Sequence, residues 1–143
     1  MAAEADAEWM VDPRGMEAAE CCLNARLRDW ARFGQLLLDR GARDGRQIIP
    51  ADWVEAATSV GLRDGHLQPR RATPCFGYGY QTRIFPDHVG FALLGVRDKA
   101  VFVNPRLKLV MVQTAVWTPE CNAELGPKRD LYRRELVQRA ARL

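Results

Sequence analysis

The sequence lacks several features that would assign it to a common class of protein. No apolar stretch reaches about 18 residues without a charge, and no basic segment leads into an apolar one near the first residue. We therefore expect no membrane partner and no export signal, and a cytoplasmic location for the chain as given. Lysine and arginine number 21 against 18 acidic residues. They form no basic stripe with interleaved aromatics, so we expect no nucleic-acid partner.

Cysteine and histidine are also sparse. The four cysteines are Cys21, Cys22, Cys75 and Cys121. They form no CxxC pair and have no histidine at zinc-finger spacing, so the sequence predicts no metal site and no cofactor. Adjacent Cys21 and Cys22 can hardly bond to each other without strain, which predicts thiols in a reducing compartment. A cysteine hydrolase that pairs Cys75 with His66 or His88 is a rival hypothesis, although no acid or helix N-terminus is placed to activate the thiol.

The densest run of β-branched and apolar side chains covers residues 91–117. Residues 101–104 and 107–116 within it resemble strands, and the Asn-Pro-Arg between them suits a turn, which predicts an antiparallel hairpin. The second run, LKLVMVQTAV, is apolar on both alternating faces. It therefore predicts a central strand covered by helices on both sides, and not an edge strand.

The rest of the chain is predicted to cover this sheet. We expect a helix from Asn24, as N-cap, to Asp39, and a short helix that begins near Pro50. Residues 60–74 are predicted to form a surface connector, and residues 76–85 alternate like one strand. A last helix over residues 128–143 should turn one set of residues toward the sheet: Leu131, Tyr132, Leu136, Ala140 and Leu143. With 143 residues and 48% hydrophobic content, the chain fits one α+β domain over residues 1–143, an antiparallel sheet flanked by helices.

Five blocks in a fixed order carry a family resemblance: LNARLRDWARFGQLLLDRG, GRQIIPADWV, GYGYQ, FALLGV and VNPRLKLVMVQTAV. Together they resemble the C-terminal portion of the serine β-lactamase-like hydrolases, the superfamily of penicillin-binding proteins, β-lactamases and related esterases. Within it, the blocks are most similar to the 6-aminohexanoate-dimer hydrolase type. The resemblance implies the C-terminal part of the β-lactamase/transpeptidase-like fold, and amide or ester hydrolysis through a serine acyl-enzyme in intact relatives.

The nucleophile motif of that family, SxxK, is missing from this sequence. Ser59 is the only serine, and Leu62 stands where the motif needs a lysine. The resemblance therefore implies that the nucleophile, its lysine and the family's tyrosine all lie outside this chain. We expect no catalytic residue in the chain and no activity from it alone, so whether it acts as an enzyme is left open.

One wall of the family's site has a counterpart here. The third motif of the family, on a sheet-edge strand beside the nucleophile, corresponds to Gly95-Val96-Arg97-Asp98, and the backbone N–H of Val96 matches the oxyanion-hole donor. The chain departs from these relatives at three places: it has Cys21-Cys22 for a Gly-Gly pair, Arg83 where a tryptophan commonly follows GYGYQ, and Asp98-Lys99 for Gly-Gln. Together these changes suggest either drift without selection for catalysis or an unusual subfamily. Tyr78 and Tyr80 either line a substrate pocket or belong to a packed strand.

The resemblance implies that the family's sheet also includes strands from an N-terminal part that this chain does not contain. Without those strands, one edge of the sheet and an apolar face would be exposed. The expected partners are therefore a separately encoded N-terminal half or a second copy of the chain. For intact relatives the resemblance implies a small amide or ester as substrate and leaves export open. The strongest rival to a hydrolase fragment is a binding module that captures a peptide along the sheet edge.

Overall fold

The computed structural model of the chain describes residues 3–18, 21–61 and 64–142, with the backbone only for residues 119–124. The three helices are α1 (Leu27–Leu38), α2 (Ala51–Thr58) and α3 (Pro119–Ala140). The strands are β1 (Glu8–Trp9), β2 (Leu23–Asn24), β3 (Ala42–Arg43), β4 (Arg46–Gln47), β5 (Gly77–Gly79), β6 (Thr82–Ile84), β7 (Phe91–Gly95), β8 (Lys99–Asn104) and β9 (Leu109–Gln113). Short 3-10 turns lie at Gly65–Leu67 and Val96–Asp98.

The main sheet has five strands in the order β5-β6-β7-β8-β9, and every pair is antiparallel. Alternation along β8 divides the core between the two faces of the sheet. Val101 and Val103 belong to one cluster with side chains of α1 and α2, and Phe102 belongs to a second cluster on the opposite face. The predicted α+β class, with helices on both faces, is confirmed.

The predicted hairpin over residues 101–116 is present as β8 and β9, but β9 is not a central strand. Within the described residues its one strand partner is β8, so it forms the edge of the sheet. Val110 and Val112 pack in the cluster under α1, and Met111 packs in the opposite cluster. Both faces of β9 are apolar because helices cover the sheet above and below it. This pattern does not indicate how many strands pair with β9.

Helix α3 begins earlier than predicted, and the face that it presents to the sheet agrees only in part with the prediction. Leu131 and Tyr132, predicted to face inward, are 64% and 67% exposed. The contact is made by Arg133, whose guanidinium lies 4.3 Å from the Phe85 ring centroid and 5.6 Å from that of Phe102. Leu136 and Ala140, also predicted to face inward, are half-buried. Apolar spacing therefore located the inner face only in part, because an arginine can cover aromatic rings with its planar head and apolar stem. Leu143 lies outside the described residues.

Two shorter segments also differ from the prediction. Residues 76–85 form a hairpin, β5–β6, because Tyr80 and Gln81 adopt φ of 48° and 64° and reverse the chain. Helix α1 starts at Leu27 with Arg26 as its N-cap, since Asn24 is paired with Glu8 in the β1–β2 ladder. In the 60–74 connector, residues 62 and 63 lie outside the described part.

Cys21 and Cys22 form a disulfide with each other, contrary to the predicted pair of free thiols. The chain turns sharply at this point. Cys22 has φ of 73°, its carbonyl accepts a hydrogen bond from the Met10 N–H at 3.2 Å, and the Cys21 carbonyl accepts one from Trp9 Nε1 at 3.0 Å. This held turn brings the two sulfurs together. Cys75 is an exposed free thiol.

Candidate functional site

The segment that resembles the family's third motif forms a tight turn between β7 and β8. Gly95 is the last residue of β7 and pairs with Lys99, the first of β8. Val96 begins the 3-10 turn and is 82% exposed. Its N–H therefore has no acceptor within the turn, as for the first donors of any helical segment. Arg97 and Asp98 both adopt left-handed φ, 60° and 65°, a conformation that non-glycine residues seldom hold without support.

Strand β7 is an edge strand only in its second half. Strand β6 pairs with Phe91 and Ala92, whereas residues 93–95 pair with β8 alone among the described strands. One flank of the backbone that leads into Val96 is therefore unpaired by any described strand. The expectation of a sheet-edge strand holds over this half, because the β5–β6 hairpin is too short to extend along it.

Asp98 is the buried anchor of this turn. Its side chain is 3% exposed, and its carboxylate accepts hydrogen bonds from Arg129 Nη1 of α3 and from Gln113 Nε2 at the end of β9. Gln113 Nε2 also lies 3.3 Å from the Asp98 carbonyl oxygen, and the Trp117 N–H donates to the Arg97 carbonyl at 3.3 Å. A buried carboxylate requires such partners. The charge that Asp98 brings to this turn is therefore buried and paired with Arg129. The interpretation of the change as drift stays a prediction.

The side chains proposed for a pocket contact separate neighbours. The Tyr78 hydroxyl donates to Gln81 Oε1 at 2.7 Å, and the Arg83 guanidinium lies 4.2 Å from the Tyr78 ring centroid. Tyr80 is 67% exposed in the turn of the β5–β6 hairpin, and its ring lies edge-on to Trp53 of α2, with centroids 6.3 Å apart. The pocket role of the two tyrosines stays a prediction.

Ser59 occupies the C-terminal end of α2. Its Oγ donates a hydrogen bond to the Glu55 carbonyl at 2.7 Å, and the residue is exposed. The hydroxyl thus caps a helix carbonyl in the way that serine commonly does near helix ends. The rival thiol site is not assembled either: within the described residues, neither His66 nor His88 is hydrogen-bonded to Cys75, and all three are exposed.

Two further findings concern the described part of the chain. Its residues hold no group of three or more His, Cys, Asp and Glu side chains that could bind a metal ion. None of its helices is both long enough and apolar enough to span a bilayer.

The residues that sequence reasoning missed are Gln113 and Arg129. Asp98 lies within the segment that resembles the family's third motif. Arg129 lies 31 positions further along the chain, on a helix whose inner face cannot be identified fully from apolar spacing. The signal that could have found them is charge. A carboxylate that becomes buried requires a charged or hydrogen-bonding partner, and Arg129 is on the same helical face as Arg133.

Comparison with known proteins places these features in context. No protein-family model matches the chain. A 6-aminohexanoate-dimer hydrolase from Paenarthrobacter ureafaciens is 27% identical over 119 residues, which cover 80% of this chain and 30% of that protein. A solved structure, titled "Putative 6-aminohexanoate-dimer hydrolase from Bacillus anthracis", matches with a TM-score of 0.71 and 27% identity, over 92% of this chain and 32% of its own. The chain thus spans about a third of the length of these relatives. In sequence and in fold it is similar to a part of the 6-aminohexanoate-dimer hydrolases.

Proposed function

We propose that this chain supplies the sheet and one wall of the acyl-transfer site of a serine hydrolase acting on amide or ester bonds, with the nucleophile provided from outside these 143 residues. The turn after β7 is the observation that carries the proposal. Acyl transfer needs fixed backbone donors for the oxyanion of the tetrahedral intermediate. The Val96 N–H starts an exposed turn, has no acceptor within it, and follows a strand with an unpaired flank.

The missing nucleophile is the second part of the proposal. Ser59 has no lysine three residues on, and its hydroxyl is hydrogen-bonded to a helix carbonyl. We therefore expect the chain alone to be inactive toward a p-nitrophenyl ester and to form no adduct with a fluorophosphonate probe. Hydrolysis above a boiled control, lost on Ser59→Ala or Cys75→Ala, would contradict this.

The surface offers room for the missing segment. The outer edge of β9 is unpaired within the described residues, and Val116, Leu131 and Tyr132 present apolar groups that are 73%, 64% and 67% exposed. A segment that adds a strand to β9 would satisfy the open backbone groups and cover apolar surface. We expect this segment to carry the SxxK serine, with a second copy of the chain as the rival occupant.

A chimera tests the proposal directly. The region of the Paenarthrobacter ureafaciens relative that aligns with this chain is replaced by this chain, and the purified protein is treated with a fluorophosphonate probe and with the 6-aminohexanoate dimer. We expect covalent labelling at the SxxK serine and hydrolysis of the dimer, with both lost when that serine is changed to alanine. A folded chimera that remains unlabelled would overturn the proposal.

The unpaired half of β7 favours one other function. An extended peptide could pair with residues 93–95 by strand addition, which needs only a free strand flank. In that case an added peptide would shift the amide resonances of residues 93–95 in the chain alone, and the chimera would not be labelled.

A further inference from the structure

We infer that Asp98, held by Arg129 and Gln113, is a positioning residue that fixes the orientation of the Val96 N–H, so that helix α3 sets the geometry of the proposed oxyanion donor. The role of the Val96 N–H as an oxyanion donor rests on the proposed function. The claim that Asp98 fixes the orientation of this N–H concerns the chain alone and can be tested without catalysis.

The backbone of the turn needs external support. Arg97 and Asp98 are consecutive residues with left-handed φ, and arginine is not among the residue types that tolerate this conformation well. Such backbone persists where surrounding contacts determine it, and it is found preferentially at functional sites. The Val96 N–H belongs to the peptide between Gly95 and Val96, and the Gly95–Lys99 pair closes the loop that contains Val96, Arg97 and Asp98. Because the ends of this loop are fixed, the torsions of Arg97 and Asp98 constrain the orientation of that peptide.

The supporting contacts all come from one direction along the chain. Gln113 and Trp117 hydrogen-bond the carbonyls of Asp98 and Arg97, and Arg129 reaches the Asp98 carboxylate from α3. Asp130 in turn accepts from Arg129 Nε at 2.9 Å and so orients the guanidinium. Residues between Gln113 and Arg129 therefore bind three polar groups of the turn, the Arg97 carbonyl, the Asp98 carbonyl and the Asp98 carboxylate.

The burial of the Asp98–Arg129 ion pair indicates that the pair fixes the conformation of the turn. The Asp98 and Arg129 side chains are only 3% and 17% exposed. A buried ion pair often adds little net stability compared with apolar packing, and its established benefit is to select one arrangement among several. Here the arrangement selected is the turn that carries Val96.

Residual dipolar couplings of the 15N-labelled chain measure the orientation of the Val96 N–H vector without substrate or catalysis. In Asp98→Ala, and in the milder Gln113→Ala, we expect the Val96 and Arg97 couplings to depart from the native values and their heteronuclear NOE values to fall. Two controls should leave these signals unchanged. Glu135→Gln removes an exposed ion pair on the same helix, and Val54→Ala lowers stability through a core cluster to which no residue of the turn belongs.

The outcomes separate the two proposals. If Val96 keeps its native couplings in Gln113→Ala and in folded Asp98→Ala, or moves equally in Val54→Ala, the positioning role is wrong. Because labelling of the chimera is a separate experiment, the chimera can fail while Val96 responds as expected, or be labelled while Val96 does not respond.

Discussion

Gly34 of helix α1 lies directly against Val110 of strand β9. A Cβ added at Gly34 would come within 2.6 Å of Val110 Cγ1 and within 2.9 Å of Val101 Cγ1. The helix thus approaches the sheet at a distance that only a residue without a side chain permits, and this contact holds the edge strand under α1.

Replacing Gly34 with alanine should therefore destabilise the fold. Alanine gains about 1 kcal/mol over glycine in a helix, but overpacking a tight core contact costs roughly 1–3 kcal/mol. Since the side chains met are short, β-branched and on buried or half-buried strands, we expect a net loss that chemical denaturation with urea will measure.

Two companion variants make this test specific. Gly65→Ala meets no heavy atom within 4 Å and should change stability little. Val110→Ala removes the nearest clashing atoms but also packed methyl groups, so the test is a double-mutant cycle: Gly34→Ala should cost less in the Val110→Ala background than in the native one. A stabilised Gly34→Ala would show that the helix and sheet are further apart than the structure has them.

Arg133 should contribute to stability through its contact with aromatic rings. Burial is the main cause that lowers the pKa of Arg133, and its guanidinium lies over Phe85 and Phe102. Because arginine stays protonated in proteins, the contact is a cation–π interaction. We expect Arg133→Ala to lower the free energy of unfolding by about 1–2 kcal/mol. The exposed neighbour Arg134, changed to alanine, should alter it by less than about 0.5 kcal/mol, and equal effects would remove the special role of Arg133.

Where the sequence determines structure locally, the prediction succeeded. The Asn-Pro-Arg turn, the β8–β9 hairpin and the helix after Pro50 follow from turn chemistry and apolar spacing, and they are present. The family resemblance is likewise confirmed by the relatives named above. These features depend on residues that are close together along the chain.

The failures depend on contacts between distant residues. The ion pair of Asp98 with Arg129 crosses 31 positions, and the exposure of Leu131 follows from arginines that take the inner face of α3. The edge position of β9 was missed because burial on two faces does not specify strand neighbours. Contacts between residues far apart in the sequence determine the ion pair, the exposed face of α3 and the edge position of β9. The apolar periodicity of one segment does not contain information about such contacts.

Stability near the N-terminus should depend on pH through Asp29. Its carboxylate accepts a hydrogen bond from the Glu4 N–H at 2.9 Å and pairs with Arg32. The Glu4 N–H is the leading cause that lowers the pKa of Asp29 below its ordinary value of 3.8. Because the folded pKa is below the unfolded one, the stabilisation is present above pH 3.8 and is lost as pH falls through the folded pKa.

An NMR titration of the Glu4 amide measures this effect. We expect its resonance to move with a midpoint below pH 3.8, as protonated Asp29 releases the N–H. The Asn variant, Asp29→Asn, should abolish that transition while the rest of the spectrum is retained. A midpoint at or above 3.8 would show that the contact does not favour the carboxylate.

The Cys21–Cys22 disulfide can be tested by alkylation and peptide mass. The chain is purified without reductant, unfolded in the presence of iodoacetamide and digested with trypsin. Cleavage after Arg14 and Arg26 releases one peptide with both cysteines. We expect this peptide to be unalkylated and to lack two hydrogen atoms, whereas the peptide with Cys75, an exposed free thiol, should be alkylated. Pretreatment with dithiothreitol should then allow alkylation at both positions. Alkylation of both cysteines without reductant would show that the disulfide is absent and that the turn at Cys22 is held without it, by hydrogen bonds such as those from Met10 and Trp9.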